Sequence, residues 1–464
     1  MVNKRQRFHP QKVNAELPGP GDKRATAKGG LALVQMLANR LRLWSDLKQF
    51  VPGRKDPSQG YPMEMVLGAL IHGLLSGGQG FQATEPLRGD KDLLRLLGMS
   101  AAPSAETVEE VVKYLAVVSG TQALGKVLLR QSRRILERMT HKSLLAAGNG
   151  FVTLWLDGTL LEVTGKKFEA IKNIKGKHGQ LCVAGYVGSC LAALDFAPKD
   201  VGEETLARGF LADIYDGVIS PLGLRNDTLI LLDSLYGDGP TFDQLEALPD
   251  EPAFIVGVQK LTAAKEVMEQ LPEAVWRETG PDPKRGWAQS AWAQAWVCCD
   301  GWSHKRPMIC HRWVNEGEMV TNYAAIVTYL DHNDTRVAAL MEQWKLPLEE
   351  TLWKLYSTKQ GLENQWKELL TDMGLHHPPS AQVAANAVFY AVAALAYNLA
   401  VGVRQLGFTN AADKAMRLWR LRREVFDVAA AVKSHARQAM VRLLDARDHL
   451  IERLWEAMQR LARC

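Results

Sequence analysis

Patterned cysteine is missing from this chain. Its 464 residues include six cysteines, and none falls in a CxxC frame, nor any histidine pair in an HxxxH frame. That argues against a disulfide framework or a zinc finger. Cys298, Cys299, His304, Cys310 and His311 do cluster. Adjacent residues such as Cys298 and Cys299 point to opposite faces of a strand, however, so core cysteines in a reducing cytoplasm are expected rather than zinc ligands. Long apolar runs are missing too. The most apolar stretch, 388–403, contains Tyr390, Tyr397 and Asn398 and is short for a bilayer span. A buried helix is expected there, and no membrane partner. No apolar segment follows the basic, polar N-terminus, so no signal peptide is expected. Nor is there a large charge excess: 56 Lys and Arg face 51 Asp and Glu, a net +5.

That small excess is unevenly placed. Residues 1–30 carry seven basic side chains against two acidic ones, and residues 404–464 carry thirteen against seven. Basic ends favour a polyanionic partner such as nucleic acid; a solvated helix face and a disordered tail are the other reading. Arg417, Arg420, Arg422 and Arg423 form the densest basic cluster.

What is present divides the chain. A basic arm without periodicity occupies 1–30. Helical patterning runs over 31–145, with Leu31, Leu33, Val34, Met36, Leu37 and Leu41 on one amphipathic helix, and further helices over 62–75 and 105–118. Ser104, after Pro103, is placed to start the last of these. Short helices with Gly and Pro breaks suit a helix-turn-helix-like DNA-binding unit; a plain bundle is the other reading. Strand signals begin at 151–163 and continue as a hairpin, 181–187 and 190–196 about Gly188-Ser189. A helix over 203–215 and strands over 228–233 and 253–258 follow. This mixed order differs from strict βα alternation. Residues 261–345 hold Trp276, Trp287, Trp292, Trp296, Trp302 and Trp313, with strand alternation over 309–314. They read as a β-rich insertion whose tryptophans either fill a small sheet core or stack on an extruded base. From 348 the chain reads as mostly helical.

Three carboxylates stand out against this background. Asp157 and Asp233 each end an apolar run, where a buried strand delivers a side chain to an open sheet edge. Glu363 lies in a helical segment in which Tyr356, Lys359, Glu363 and Lys367 fall on one narrow face at about 100° per residue. Leu355, Leu362, Trp366 and Leu369 occupy a neighbouring apolar face that can pack on a sheet. A carboxylate flanked by two cations and a phenol suits a divalent metal and a phosphodiester, since Mg²⁺ takes few protein carboxylates and leaves room for phosphate oxygens.

Tyr356-x-x-Lys359-x-x-x-Glu363 resembles the YREK signature of bacterial cut-and-paste DDE transposases. Trp155-Leu156-Asp157-Gly158-Thr159 and Leu231-Leu232-Asp233-Ser234 resemble that family's two aspartate strands. Asn364, Lys367-Glu368-Leu369 and Ala396-Tyr397-Asn398-Leu399 extend the likeness, which runs from about residue 25 to near 450. Two positions depart from the signature: its Arg is Lys359, and its last Lys falls on Leu370, with Lys367 one turn earlier.

The resemblance implies an α/β fold: an RNase H-like mixed sheet, 146–260 and 346–405, interrupted by the β-rich insertion at 261–345. A helical DNA-binding domain at 31–145 precedes it, and a basic helical region at 406–464 follows. It implies that Asp157, Asp233 and Glu363 hold two Mg²⁺ or Mn²⁺ ions, and that Tyr356, Lys359, Lys367, Arg420, Arg422 and Arg423 contact DNA phosphates. The implied partners are double-stranded DNA, as terminal inverted repeats and as target, and a second copy of the chain as a homodimer on DNA. The implied place is the bacterial cytoplasm, at the nucleoid. Two alternatives remain at this point. One is a decayed copy that binds DNA without cutting it, for which Lys359 and Leu370 speak. The other is a carboxylate-pair glycosidase, against which the basic ends speak.

Overall fold

The computed structural model describes residues 9, 11–16, 25–53, 60–145, 150–164, 167–258, 261–435, 438–444 and 448–464. The rest of the N-terminal arm and the side chain of Leu362 lie outside the described residues.

Strands β1 (Lys12–Glu16) and β2 (Ala25–Thr26) come first, followed by helices α1 (Leu31–Arg40), α2 (Met63–Leu75), α3 (Ala105–Val117) and α4 (Gly120–Arg138). Ser104 does start α3: its hydroxyl accepts from the Thr107 N–H. Next come β3 (Val152–Glu162), β4 (Lys172–Ile174), β5 (Lys177–Val187), β6 (Cys190–Phe196), α5 (Glu203–Ile214), β7 (Thr228–Leu232), α6 (Gly239–Glu246) and β8 (Ala253–Gly257). Then follow β9 (Arg277–Glu278), β10 (Trp287–Val297), β11 (Arg306–Asn315), β12 (Thr321–Val327), α7 (Leu348–Ser357), α8 (Lys359–Lys367) and α9 (Val383–Gly402). The chain ends with β13 (Ala430–His435), β14 (Gln438–Leu443) and α10 (Asp448–Arg463).

The core sheet has the order β6-β5-β3-β7-β8. Its first three strands are antiparallel neighbours, while β3, β7 and β8 run parallel, joined by crossovers that contain α5 and α6. This is the mixed parallel and antiparallel arrangement expected from the order of strand signals. The insertion is an extension of the same sheet. β12 pairs antiparallel with β8, Ile326 opposite Gly257, and β11, β10 and β9 follow outward.

Helix α9 holds the assembly together. It is the one described helix long and apolar enough to cross a bilayer, and it is buried within the protein from Ala385 to its end. Its surface is apolar all round because it is enclosed all round, by β6 on one side and by α2, α3 and α4 on the others. Buried Asn398 takes the place of a backbone partner: it accepts from Leu191 N–H at 2.9 Å and donates to Leu191 O at 2.8 Å, fixing the edge strand β6. The N-terminal helices therefore share their core with the sheet. All of α2 except Glu64 is buried, so it cannot lie in a DNA groove as a recognition helix.

The ends of the chain differ from the helical and unpatterned readings given to them. β1, β14, β13 and β2 form a second sheet, with β1 parallel to β14 and Val13 opposite Ala439. The described part of the N-terminal arm is thus a strand partner of the C-terminal region, which is helical apart from the β13–β14 hairpin.

Candidate active site

Register brings the two aspartates together. β3 and β7 pair in parallel, Val152 opposite Thr228 through Trp155 opposite Leu231. The offset is 76 residues, which is also the separation of Asp157 and Asp233. Residues at one level of a parallel pair point to the same face, on strands about 4.8 Å apart. The strand next to β7 continues the pattern: Leu232 faces Val256, which sets Gly257 beside Asp233. A Cβ on Gly257 would lie 2.8 Å from Tyr356 Oη and 2.8 Å from Ser234 N. The bare glycine thus admits the Tyr356 phenol to the site.

Glu363 arrives on α8. Thr358 tightens the junction between α7 and α8, its hydroxyl donating to Leu355 O at 2.6 Å, so Tyr356, Lys359 and Glu363 remain on nearly continuous helix. Leu355, Trp366 and Leu369 are buried as the apolar face requires. Trp366 packs edge-on against Tyr186, which stacks on Trp155 with centroids 4.5 Å apart. That contact fixes α8 two residues before Asp157. Glu363 itself is exposed on the helix face that carries Lys359. Lys359 is mostly enclosed and pairs with Asp233, Nζ to Oδ2 at 2.9 Å. Lys367 is exposed. Leu370, at the place of the signature's last lysine, is buried in the core, so no cation reaches the site from there.

The electrostatics are those of a site short of positive charge. Burial, with the neighbouring carboxylates Glu203, Asp233 and Glu363, raises Asp157 to about 7, and Lys359 only partly opposes this. Burial also pushes Asp233 up, but the Lys359 ammonium and the Ser234 hydroxyl and N–H outweigh it and hold Asp233 below the usual carboxylate range. Burial, then Asp233, raises the Tyr356 phenol, which keeps its proton. The donor set is carboxylate oxygen alone, with more negative charge than Lys359 neutralises, and this fits a hard divalent cation. Sequence reasoning missed Glu203, the fourth acid, although it stands at the start of a predicted helix. Burial raises it as well, while hydrogen bonds from Tyr236 and Gly158 pull it back down.

Other candidates are placed elsewhere. Asp243, Glu246 and His304 bring ligand atoms within 4.8 Å of one another, but fully buried Arg306 already occupies the two acids at 2.6–2.8 Å. That cluster is an ion-paired brace between α6 and β11, in which one guanidinium holds both carboxylates in hydrogen bonds. Cys299 and Cys310 are buried and Cys298 is exposed. His311 stacks on Trp292 with centroids 3.9 Å apart, so the Cys/His cluster does not converge. Arg422 requires a correction. Its guanidinium donates to Leu75 O and Asp372 O at 3.0 and 2.9 Å, which commits it to packing rather than to phosphate. Arg420 pairs with Glu424 on the surface, and Arg423 is exposed.

Three of these six insertion tryptophans fill the sheet core: Trp276, Trp292 and Trp302 are buried, whereas Trp296 is exposed. Trp287 and Trp353, with Arg285, Ser290 and Lys354, instead line a cleft of about 300 Å³. Trp353 leads back to the carboxylates, with its ring 6.0 Å from that of Tyr356. Arg277 bridges from β9 to Glu349 and Glu350 of α7 at 3.2 and 3.1 Å, tying the insertion to the helix that carries Tyr356.

The family described as transposase DDE domain group 1 matches this chain over residues 6–464. Among curated proteins none matches it. Among solved structures, a piggyBac transposase synaptic complex with hairpin DNA is similar at 11% identity and a TM-score of 0.40, covering 89% of this chain and 84% of that one.

Proposed function

Because the chain belongs to the transposase DDE domain family, group 1, we propose that it cuts and joins DNA at the ends of an insertion sequence, using the carboxylates Asp157, Asp233 and Glu363. The matched register of Asp157 and Asp233, faced by the helix of Lys359 and Glu363, is the observation that carries this reading. Mg²⁺ or Mn²⁺ ions held by the three carboxylates would supply charge neutralisation and Lewis acidity for phosphodiester cleavage. The chain's own side chains do the positioning. Lys359 places an ammonium among the acids, where it can pass from Asp233 to a phosphate oxygen. Tyr356, kept protonated, is a hydrogen-bond donor there and not a phenolate. Lys367, one turn beyond Glu363, offers a second cation to the DNA backbone.

The partners of this reading are duplex DNA, as terminal inverted repeats and target, and a second copy of the chain, at the nucleoid of a bacterial cytoplasm. Arg420 and Arg423 remain candidates for phosphate contact. The test is cleavage of labelled duplex carrying the element's ends, with and without Mg²⁺, by the full chain, alongside light scattering of the DNA complex. Metal-dependent nicking supports the proposal. Salt-sensitive binding without nicking would instead indicate a decayed copy.

Lys359→Ala is expected to slow single-turnover cleavage by about tenfold or more, for a charge-assisted contact worth about 1.5–3 kcal/mol. Lys359→Arg should retain activity. Wild-type rates for Lys359→Ala would remove the lysine from the mechanism.

The cleft beside Trp287 and Trp353 is of a size and composition to take an unstacked base, which an aromatic face stabilises by about 1–3 kcal/mol. Trp287→Ala is then expected to slow cleavage while leaving DNA affinity within about twofold, since binding rests on distributed phosphate contacts. Unchanged cleavage would leave Trp287 as a packing residue.

A further inference from the structure

Glu203 opens α5, and its carboxylate engages two separate elements. Tyr236 Oη donates to Oε1 at 2.5 Å, and the same carboxylate packs directly over Gly158. Gly158 directly follows Asp157 on β3. Tyr236 lies in the turn after β7, where its own N–H donates to Asp233 O at 3.1 Å. One side chain from a third element thus grips the strand just past Asp157 and the turn that carries Asp233. The space for it is specific: an ideal Cβ on Gly158 would lie 2.3 Å from Glu203 Cδ. Tyr236 is buried, so its phenol has no water to exchange for the carboxylate. A glutamate serving only the helix dipole needs no such partners.

We propose that Glu203 is a positioning residue that braces the spacing and orientation of Asp157 and Asp233, so that the two can share a divalent cation. The proposal rests on the reading of this site as a metal-dependent nuclease. Groups that orient ligands through hydrogen bonds govern metal affinity as well as rate. Gly158, Glu203 and Tyr236 then act as one unit: the glycine leaves the space, the glutamate fills it and the tyrosine locks it.

The test is Mn²⁺ binding to the full-length protein, followed by electron paramagnetic resonance, with folding checked by circular dichroism. Glu203→Ala is expected to weaken Mn²⁺ binding by about tenfold or more. Tyr236→Phe, which removes a single oxygen, should weaken it by a smaller factor. Glu203→Gln should fall between wild type and Glu203→Ala, because its carbonyl still accepts the tyrosine proton. The double variant Glu203→Ala/Tyr236→Phe should bind no more weakly than Glu203→Ala alone, as expected of two groups in one unit. Wild-type Mn²⁺ affinity in folded Glu203→Ala, or in Tyr236→Phe should the alanine variant not fold, would overturn the brace and leave the nuclease reading standing. A wild-type protein that binds no Mn²⁺ at all would remove the nuclease reading, and the brace with it.

Discussion

Asp157→Asn is expected to abolish DNA cleavage and, in the same protein, to raise stability in the absence of metal. The loss of cleavage follows from removing a carboxylate at the junction of β3 and β7. A deficit of about 4 kcal/mol in transition-state stabilisation corresponds to roughly a thousandfold in rate. The gain in stability follows from the proton. Burial and the neighbouring carboxylates raise Asp157 to about 7 in the fold, against 3.8 for a free aspartate. Between these values the folded state holds a proton that the unfolded chain has released, so stability falls as pH rises. The stabilisation is complete below about pH 4 and is lost as pH passes through about 7. Asparagine cannot ionise and keeps it. The displacement bounds the effect at about 4 kcal/mol, and partial solvent contact reduces it to roughly 1–2 kcal/mol. Urea titrations of metal-free protein at pH 4 and pH 8 measure it: the variant should gain little on wild type at the lower pH and its full amount at the higher. Added Mn²⁺ should then stabilise wild type, by about 2.7 kcal/mol at a hundredfold excess over Kd, and should stabilise the variant much less. A pH-independent difference between the two proteins would show that Asp157 is not under the repulsion described here.

The same carboxylates show how far the sequence is legible. The strand before Asp157, the hairpin about Gly188-Ser189 and the strand before Asp233 are each written in local apolar runs and turn residues, and each is found where those signals lie. The 76-residue spacing gains its meaning only from the parallel register of β3 and β7, which no local pattern contains. Glu203 is illegible for the same reason. Its partners, Gly158 and Tyr236, are distant in sequence, and a glutamate at a helix start carries an ordinary local explanation. The β1–β14 pairing joins residues more than four hundred positions apart. Neither strand has an alternation strong enough to announce it, so the arm and the C-terminal region read as separate basic ends. Arg422 illustrates the converse. A cluster of arginines reads as a surface for polyanions, yet one of its members is spent on the carbonyls that end α2. The long apolar segment was readable as a buried helix, because its tyrosines and asparagine need partners that a protein interior supplies.

Arg404→Met is expected to destabilise the protein by about 3–5 kcal/mol, the cost of leaving a buried carboxylate without its cation. Glu368 and Arg404 are 7% and 5% exposed. Their pair is bidentate, Nη1 to Oε1 at 2.8 Å and Nη2 to Oε2 at 3.0 Å, and Arg404 also donates to Met416 O. Glu368 stands directly after α8, and Arg404 two residues past the end of the long buried helix α9. The pair therefore anchors the end of the helix that presents Glu363 to the long buried helix of the core. Replacing both partners, as Glu368→Leu/Arg404→Met, should recover most of the loss, because two apolar side chains of similar volume carry no desolvation cost. Denaturant unfolding of the two single variants and the double variant measures this directly. A cost below about 1 kcal/mol for Arg404→Met would mean that water reaches Glu368. If the double variant is restored in stability yet binds Mn²⁺ as wild type does, the pair serves folding alone. If metal affinity stays reduced, the ion pair sets the reach of Glu363 across the sheet edge.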